Sequence, residues 1–232
     1  RLEPEIFSFR LLNNFRDFLY QKNISEFPVH IKIDTGMHRL GFELADIRKL
    51  SLEIISNNRI KIKSIFTHLS SSDNPEHDSF TIKQFDLFKK VIAQLKKVIT
   101  YPFYCHLSNT AAISRFPEMQ LDMVRLGIGM YGIDENPAIK FKLKAVSKLS
   151  TTISQIKNIN PGEVVGYGMN IIKEHKTIAT VGIGYADGYH RILGNGRGKM
   201  LVNGILAPTI GNICMDMTML DITGIRDVNE GD

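Results

Sequence analysis

The feature that most constrains this chain is a recurrent pattern: apolar strand-like runs that finish in polar, charged or glycine residues, with helical periodicity between them. Val29–Asp34 (VHIKID) alternates, so Val29, Ile31 and Ile33 share one face and His30, Lys32 and Asp34 the other. Ile62–His68 runs into THLSSSD, Phe103–Leu107 into CHLSNT, and Met123–Gly132 reads MVRLGIGMYG. A further short strand is expected over Ile6–Leu12. Glu43–Asn57 and Asp78–Ile99 carry apolar residues at helical spacing, with the lysines of the second forming a solvated face, and Ala111–Arg115 predicts a short helical turn. Strand and helix alternating at this spacing predict a parallel α/β sheet or barrel, in which chemistry belongs at the C-terminal ends of the strands.

The character changes near Pro137. From Phe141 on, alternating runs (Val146–Ile159, Val164–Ile172, Thr177–Tyr185, Lys199–Val202 and Thr218–Ile222) are punctuated by turn residues at Asn160–Glu163, Asn195–Gly198 and Asn203–Gly204. The expected organisation is an α/β domain over residues 1–137 and an all-β domain, incomplete, over 138–232.

Composition narrows the partners. A net charge of +5 spread along 232 residues gives no basic patch, so nucleic acid is not an expected partner. Cys105 and Cys214 lie far apart without a CxxC companion, which fits a reducing compartment better than a disulfide or zinc scaffold. No run is long and apolar enough for a transmembrane helix, so no membrane is expected and a cytoplasmic location is. Arg1 in place of an initiator Met, and an ending on VNEGD, lead us to expect a piece of a longer protein, truncated at both ends.

The strand-end candidates are Lys32, Arg39, His68, His106 with Asn109, and Arg125 with Gly127. Each alone reads as an ordinary surface or structural residue; their recurrence on successive strands is harder to ascribe to chance. Lys32, between two β-branched neighbours, must be paired or chemically altered if it faces inward. Gly127–Ile128 can present backbone N–H groups to an anion. In the β region Tyr167 and Tyr185 each sit among glycines, and Ile213–Met217 (ICMDM) completes a tip able to reach a neighbouring site.

Taken in order, HIKIDTGMHRLGF, THLSSSD, CHLSNTAA, MVRLGIGMYG, VGYG, GIGYADGY and GNICMDMTM resemble the successive motifs of the alanine racemase family, and the order of motifs is similar to its bacterial version fused to a cell-wall ligase. The resemblance implies a partial (β/α)8 TIM-type barrel followed by a C-terminal β domain, pyridoxal 5'-phosphate (PLP) as cofactor, and a homodimer with shared active sites. It implies interconversion of L- and D-alanine for peptidoglycan synthesis by two bases. Tyr167 would be one, supported by His106 and Arg125; the other would be the lysine that the family joins to PLP, for which no KADAYGHG-like stretch occurs here. The chain by itself is therefore expected to be inactive.

Further roles follow from the same resemblance. His68 would pack against the cofactor ring, Arg125 would bond the ring nitrogen, and Asn109, Thr110, Gly127 and Ile128 would line the cofactor side, the last three around its phosphate. Arg39 would contact the cofactor's phenolic oxygen or the substrate carboxylate. Met215 and Tyr185 would come with Tyr167 from the partner subunit and narrow the entrance for a small amino acid. Lys32 is the carbamylation candidate. Thr110 stands where the family commonly has Ser, and its hydroxyl still donates. Alternative expectations are a serine or broader-specificity racemase of the same fold, or a non-catalytic PLP-binding or dimerisation module.

Overall fold

The structure, a computed structural model, describes residues 2–134, 136 and 143–232. The chain forms two compact units, Arg1–Ser147 and Lys148–Asp232. The domain boundary expected between residues 137 and 138 lies outside the described residues.

In the first unit, strands β1 (Glu5–Ile6), β2 (Phe27–Lys32), β3 (Ile60–Phe66) and β4 (Tyr104–His106) make a four-stranded sheet in the order β1-β2-β3-β4. Every pairing in it is parallel. Parallel neighbours need crossover connections. Helices α1 (Phe9–Gln21), α2 (Ile47–Ile55) and α3 (Asp78–Leu95) supply them between successive strands. Their apolar stripes bury Leu12 and Leu19, Ile47 and Leu50, and Phe88, Val91 and Leu95 in one core with Val29, Ile31, Ile62 and Ile65 of the sheet. Each such side chain contributes roughly 1.5–3 kcal/mol by leaving water.

Local chemistry sets the element ends. Ser8, expected inside a first strand, instead caps α1: its Oγ accepts the Leu11 N–H at 3.3 Å, and the helix begins at Phe9. Asn109 caps the short helix α4 (Thr110–Arg115), accepting the Ala112 N–H at 3.0 Å. The strand expected over Met123–Gly132 does not form. Its backbone-to-backbone bonds toward β4 are Asp122 N–H to Cys105 O (3.1 Å) and Arg125 N–H to Ser108 O (3.0 Å), after which it closes into a 3-10 turn at Ile128–Tyr131. Two isolated bonds are too few to hold a ladder, and the glycines at 127 and 129 favour the turn.

The second unit is antiparallel. Strand β5 (Ile153–Ile159) and strand β11 (Thr218–Asp221) flank β8 (Lys176–Val181). Two hairpins accompany this sheet, β6 (Val164–Val165) with β7 (Asn170–Ile171), and β9 (Lys199–Val202) with β10 (Ile205–Pro208). The second turns on Asn203–Gly204, whose φ values of 46° and 79° are the left-handed pair that a tight hairpin requires. Residues 146–152, expected to begin the first β run, carry no strand. Among the described residues no helix is long and apolar enough to cross a membrane.

Candidate active site

At the C-terminal ends of β3 and β4 a cavity of about 540 Å³ opens, lined by His68, Asn109, Thr110, Arg125, Gly127 and Ile128 together with Met37, Arg115 and others. Six expected cofactor-side residues thus share one wall. Of the remaining barrel candidates, His106 is 3% exposed and lies outside the lining, Lys32 is buried, and Arg39 is exposed on the 35–43 turn.

Arg125 is the hub. Its Nη2 donates to Thr67 O at 2.7 Å, to His68 Nδ1 at 3.1 Å and to Leu107 O at 3.4 Å; its Nη1 donates to His106 Nδ1. Burial lowers its hold on its proton and the Glu5 carboxylate opposes this, yet a guanidinium stays charged in any protein setting. Both neighbouring imidazoles answer to that cation. Burial first, then Arg125, Arg39 and Lys32, hold His68 down to about 4. Burial, then Arg125 and His30, against an opposing Asp122, hold His106 down to about 4. Both rings are neutral at neutral pH. Since a guanidinium only donates, the His68 Nδ1 is the acceptor and its proton sits on Nε2, as a donor.

The second half of the wall suits an anion. Thr110 Oγ1 accepts the N–H groups of Gly127 and Gly129, each at 3.1 Å, so its accepting capacity is filled and its own proton is free to donate. Among the described residues the Ile128 N–H finds no protein acceptor. A Cβ on Gly127 would meet nothing closer than Thr110 Oγ1 at 3.8 Å, whereas at Gly129 it would press on Leu126 Cδ1 at 2.7 Å and Thr110 Cγ2 at 2.8 Å. A hydroxyl, a free N–H and a half-buried guanidinium around one cavity fit a phosphorylated heteroaromatic group such as PLP.

The walls are braced by further residues, among which the sequence reading missed Gln84, Ser72 and Glu5. Gln84 of α3 is fully buried; its Nε2 donates to Thr35 Oγ1 (3.3 Å) and His68 O (3.2 Å), and its Oε1 accepts Ser70 N–H (3.1 Å). Arg115 donates twice to Asp78 (2.7 and 2.9 Å) and to Ser72 O (2.6 Å), tying α4 to the start of α3. Ser72 Oγ in turn donates to Asn109 Oδ1 at 2.8 Å. Buried Lys32 pairs with Glu5 at 3.3 Å and lies 5.5 Å from the centre of the Phe66 ring. The helical position of Gln84, inside an apolar stripe, was the signal available for it.

In the β unit Tyr167, Tyr185 and Met215 are 72%, 44% and 61% exposed. Their loops are bound to one another. Asn212 Nδ2 donates to Tyr167 O at 2.8 Å, Tyr185 N–H to Cys214 O at 3.0 Å, and Ala186 N–H to Met215 O at 2.9 Å. Gly184 permits this approach, since a Cβ there would lie 2.4 Å from Met215 C and O.

A parallel sheet with its cavity at the strand ends, joined in one chain to an antiparallel β unit, defines the class: a two-unit α/β-plus-β protein whose parallel unit carries a strand-end cavity. Family models for the alanine racemase N-terminal domain and C-terminal domain match residues 1–135 and 146–232. The alanine racemase of Halothermothrix orenii is 42% identical over 208 residues, which are 88% of this chain and 54% of that protein. Alanine racemase 1 of Clostridium acetobutylicum is 38% identical, covering 100% of this chain and 60% of its own length. Among solved structures, the alanine racemase of Clostridium difficile 630 superposes with a TM-score of 0.88 at 31% identity, over 100% of this chain and 60% of that one. One from Bartonella henselae, described with covalently bound pyridoxal phosphate, gives 0.83 at 32% identity, over 100% of this chain and 63% of that one. The chain belongs to the alanine racemase family. It spans a little over half the length of these relatives, 54% and 60% of the two proteins and 60% and 63% of the two structures.

Proposed function

We propose that the full-length protein containing this chain is a PLP-dependent alanine racemase, interconverting L- and D-alanine in the cytoplasm for peptidoglycan synthesis. The observation that carries this reading is the shared wall at the strand ends, where Arg125, His68, Thr110 and Ile128 present donors to one cavity. When bound, PLP supplies an electron-withdrawing ring that makes the substrate's α-proton removable. Thr110 O–H and the Ile128 N–H would hold its phosphate, with Gly127 leaving room for its approach and Asn109 beside it. Arg125 would hold the ring nitrogen by donating to it, and being a donor only it leaves that nitrogen without a proton of its own. His68 would lie against the ring.

Tyr167, from the partner subunit of a homodimer, would carry the proton on one face of the substrate. A phenol releases its proton near pH 10. Near neutrality it serves as a base only beside a group that stabilises the phenolate. The Nε2–H of His68, whose tautomer Arg125 fixes, and the Arg125 charge itself support that role, while buried His106 acts through Arg125. Tyr185 and Met215, tied to the Tyr167 loop through residues 212–215, would narrow the entrance. Arg39 would reach the substrate carboxylate or the cofactor's phenolic oxygen, and Lys32 is the carbamylation candidate beside it. The domain division at 137 and 138 belongs to the same reading.

The test is direct. Full-length protein reconstituted with PLP should convert L-alanine to D-alanine and the reverse. Protein that binds PLP yet leaves both enantiomers unchanged, or that turns over serine in preference, would overturn the reading.

A further inference from the structure

Behind the cavity, Arg125 is connected to a half-exposed carboxylate by side chains that do not line the cavity. His106 Nε2 lies 3.0 Å from Ser64 Oγ, Ser64 Oγ lies 2.6 Å from His30 Nδ1, and His30 Nε2 lies 3.0 Å from Glu3 Oε2. The direction of this chain follows from its first member. A guanidinium cannot accept, so its bond to His106 requires an unprotonated Nδ1 and leaves the ring proton on Nε2. That proton goes to Ser64 Oγ. Ser64 then sends its own proton to His30 Nδ1, and His30 donates from Nε2 to Glu3. Every polar atom is satisfied in this one arrangement, and a carboxylate, which only accepts, closes it.

Strand geometry brings the middle members together. β2 and β3 pair Val29 with Ile62 and then His30 with Ser64, so Lys63 is an extra residue at a bulge. Strict pairing would set Lys63 opposite His30. Ser64 is 1% exposed, and a hydroxyl buried that deeply needs partners on both sides. The other charges nearby are engaged elsewhere: Glu5 pairs with Lys32 at 3.3 Å and Asp122 accepts the Cys105 N–H at 2.7 Å. Glu3 is therefore the acid that ends the chain.

We propose that Ser64 and His30 are positioning residues for Arg125, forming with His106 and Glu3 a one-way hydrogen-bond relay that keeps His106 Nδ1 an acceptor and so fixes the guanidinium fork at the cavity. The kinetic consequence rests on the function proposed above; the relay itself does not.

The experiment is a two-bond ¹H–¹⁵N correlation spectrum of the histidine-labelled, PLP-loaded full-length protein above pH 8, where an ordinary imidazole is neutral. His106 and His30 should each appear as a single tautomer protonated on Nε2, with assignments made from His106→Gln and His30→Gln. In Ser64→Ala, His30 should become a mixture of tautomers while His106 keeps its own. In the same variant kcat for alanine should fall about 3- to 10-fold, the scale of one lost hydrogen bond, with KM nearly unchanged, and Ser64→Thr should restore it. A proton on His106 Nδ1, or a His30 ring signal unaltered by Ser64→Ala, would overturn the relay. The wild-type spectrum decides even if Ser64→Ala fails to fold. Because tautomers are read without turnover, protein lacking racemase activity would still report on the relay, so the two readings fail separately.

Discussion

Arg125 Nη2 donates to His68 Nδ1 across 3.1 Å, and this single bond decides which nitrogen His68 can offer as a donor. With Nδ1 occupied as an acceptor, the ring carries its proton on Nε2 and stays neutral at neutral pH, held down to about 4 by burial and by Arg125. Replacing Arg125 with Lys keeps a charge but not the planar fork, so the bonds to His68, His106 and the Thr67 carbonyl cannot all survive. Racemisation by the full-length Arg125→Lys protein should drop at least about 100-fold, the scale of losing oriented acid–base support. Steady-state assays in both directions measure it.

The two depressed histidines make stability depend on pH in a defined window. An unfolded imidazole takes its proton near 6.5, while His68 and His106 resist it down to about 4. Between those values the unfolded chain binds more protons, so stability is fully present above pH 6.5 and is lost as the pH falls toward 4. Urea midpoints from pH 7 to 4.5 should decline, and His106→Gln should flatten that decline. A slope identical in the variant would show that His106 is not a source of it.

Gln84 is a clamp between the turn after β2 and the turn after β3. Gln84→Ala opens a cavity and strands the Ser70 N–H and the His68 carbonyl that the amide now satisfies. Destabilisation of about 2–4 kcal/mol is expected. Chemical denaturation measures it, and PLP affinity should weaken along with it because His68 loses its support.

Gly184 is required by approach rather than by dihedral. Its φ of −144° suits any residue, yet a Cβ would lie 2.4 Å from Met215 backbone atoms. Gly184→Ala should destabilise the β unit by about 1–3 kcal/mol and raise KM for alanine by displacing the Tyr185–Met215 loop. A denaturation curve and KM for the variant test both parts.

Much of this was legible in the chain itself, for identifiable reasons. The strands β2, β3 and β4 announce themselves by apolar runs ending in polar residues, and His68, Asn109, Thr110, Arg125, Gly127 and Ile128 do meet at one cavity. The strand expected at Met123–Gly132 does not form because its apolar residues flank a glycine turn, and Ser8 caps a helix, although a cap and an alternating strand position look alike in sequence. Ser64 was invisible for a deeper reason: a bulge decides which residue of β3 faces His30, and period-two alternation cannot reveal a bulge. The partner expected for an inward Lys32 is Glu5, which spacing could not name, and spacing alone could not show that Arg39 stands exposed on its turn.

Whether Tyr167 carries the proton is tested most directly by α-hydrogen exchange. Full-length, PLP-loaded Tyr167→Phe protein would be incubated with each enantiomer of alanine in D2O and the α-position followed by NMR. Exchange from L-alanine is expected to fall by about 10²–10⁴, the usual worth of a positioned acid–base group, while exchange from D-alanine falls far less. Exchange from both enantiomers at the unaltered rate would contradict the assignment of Tyr167 and the shared active site built on it.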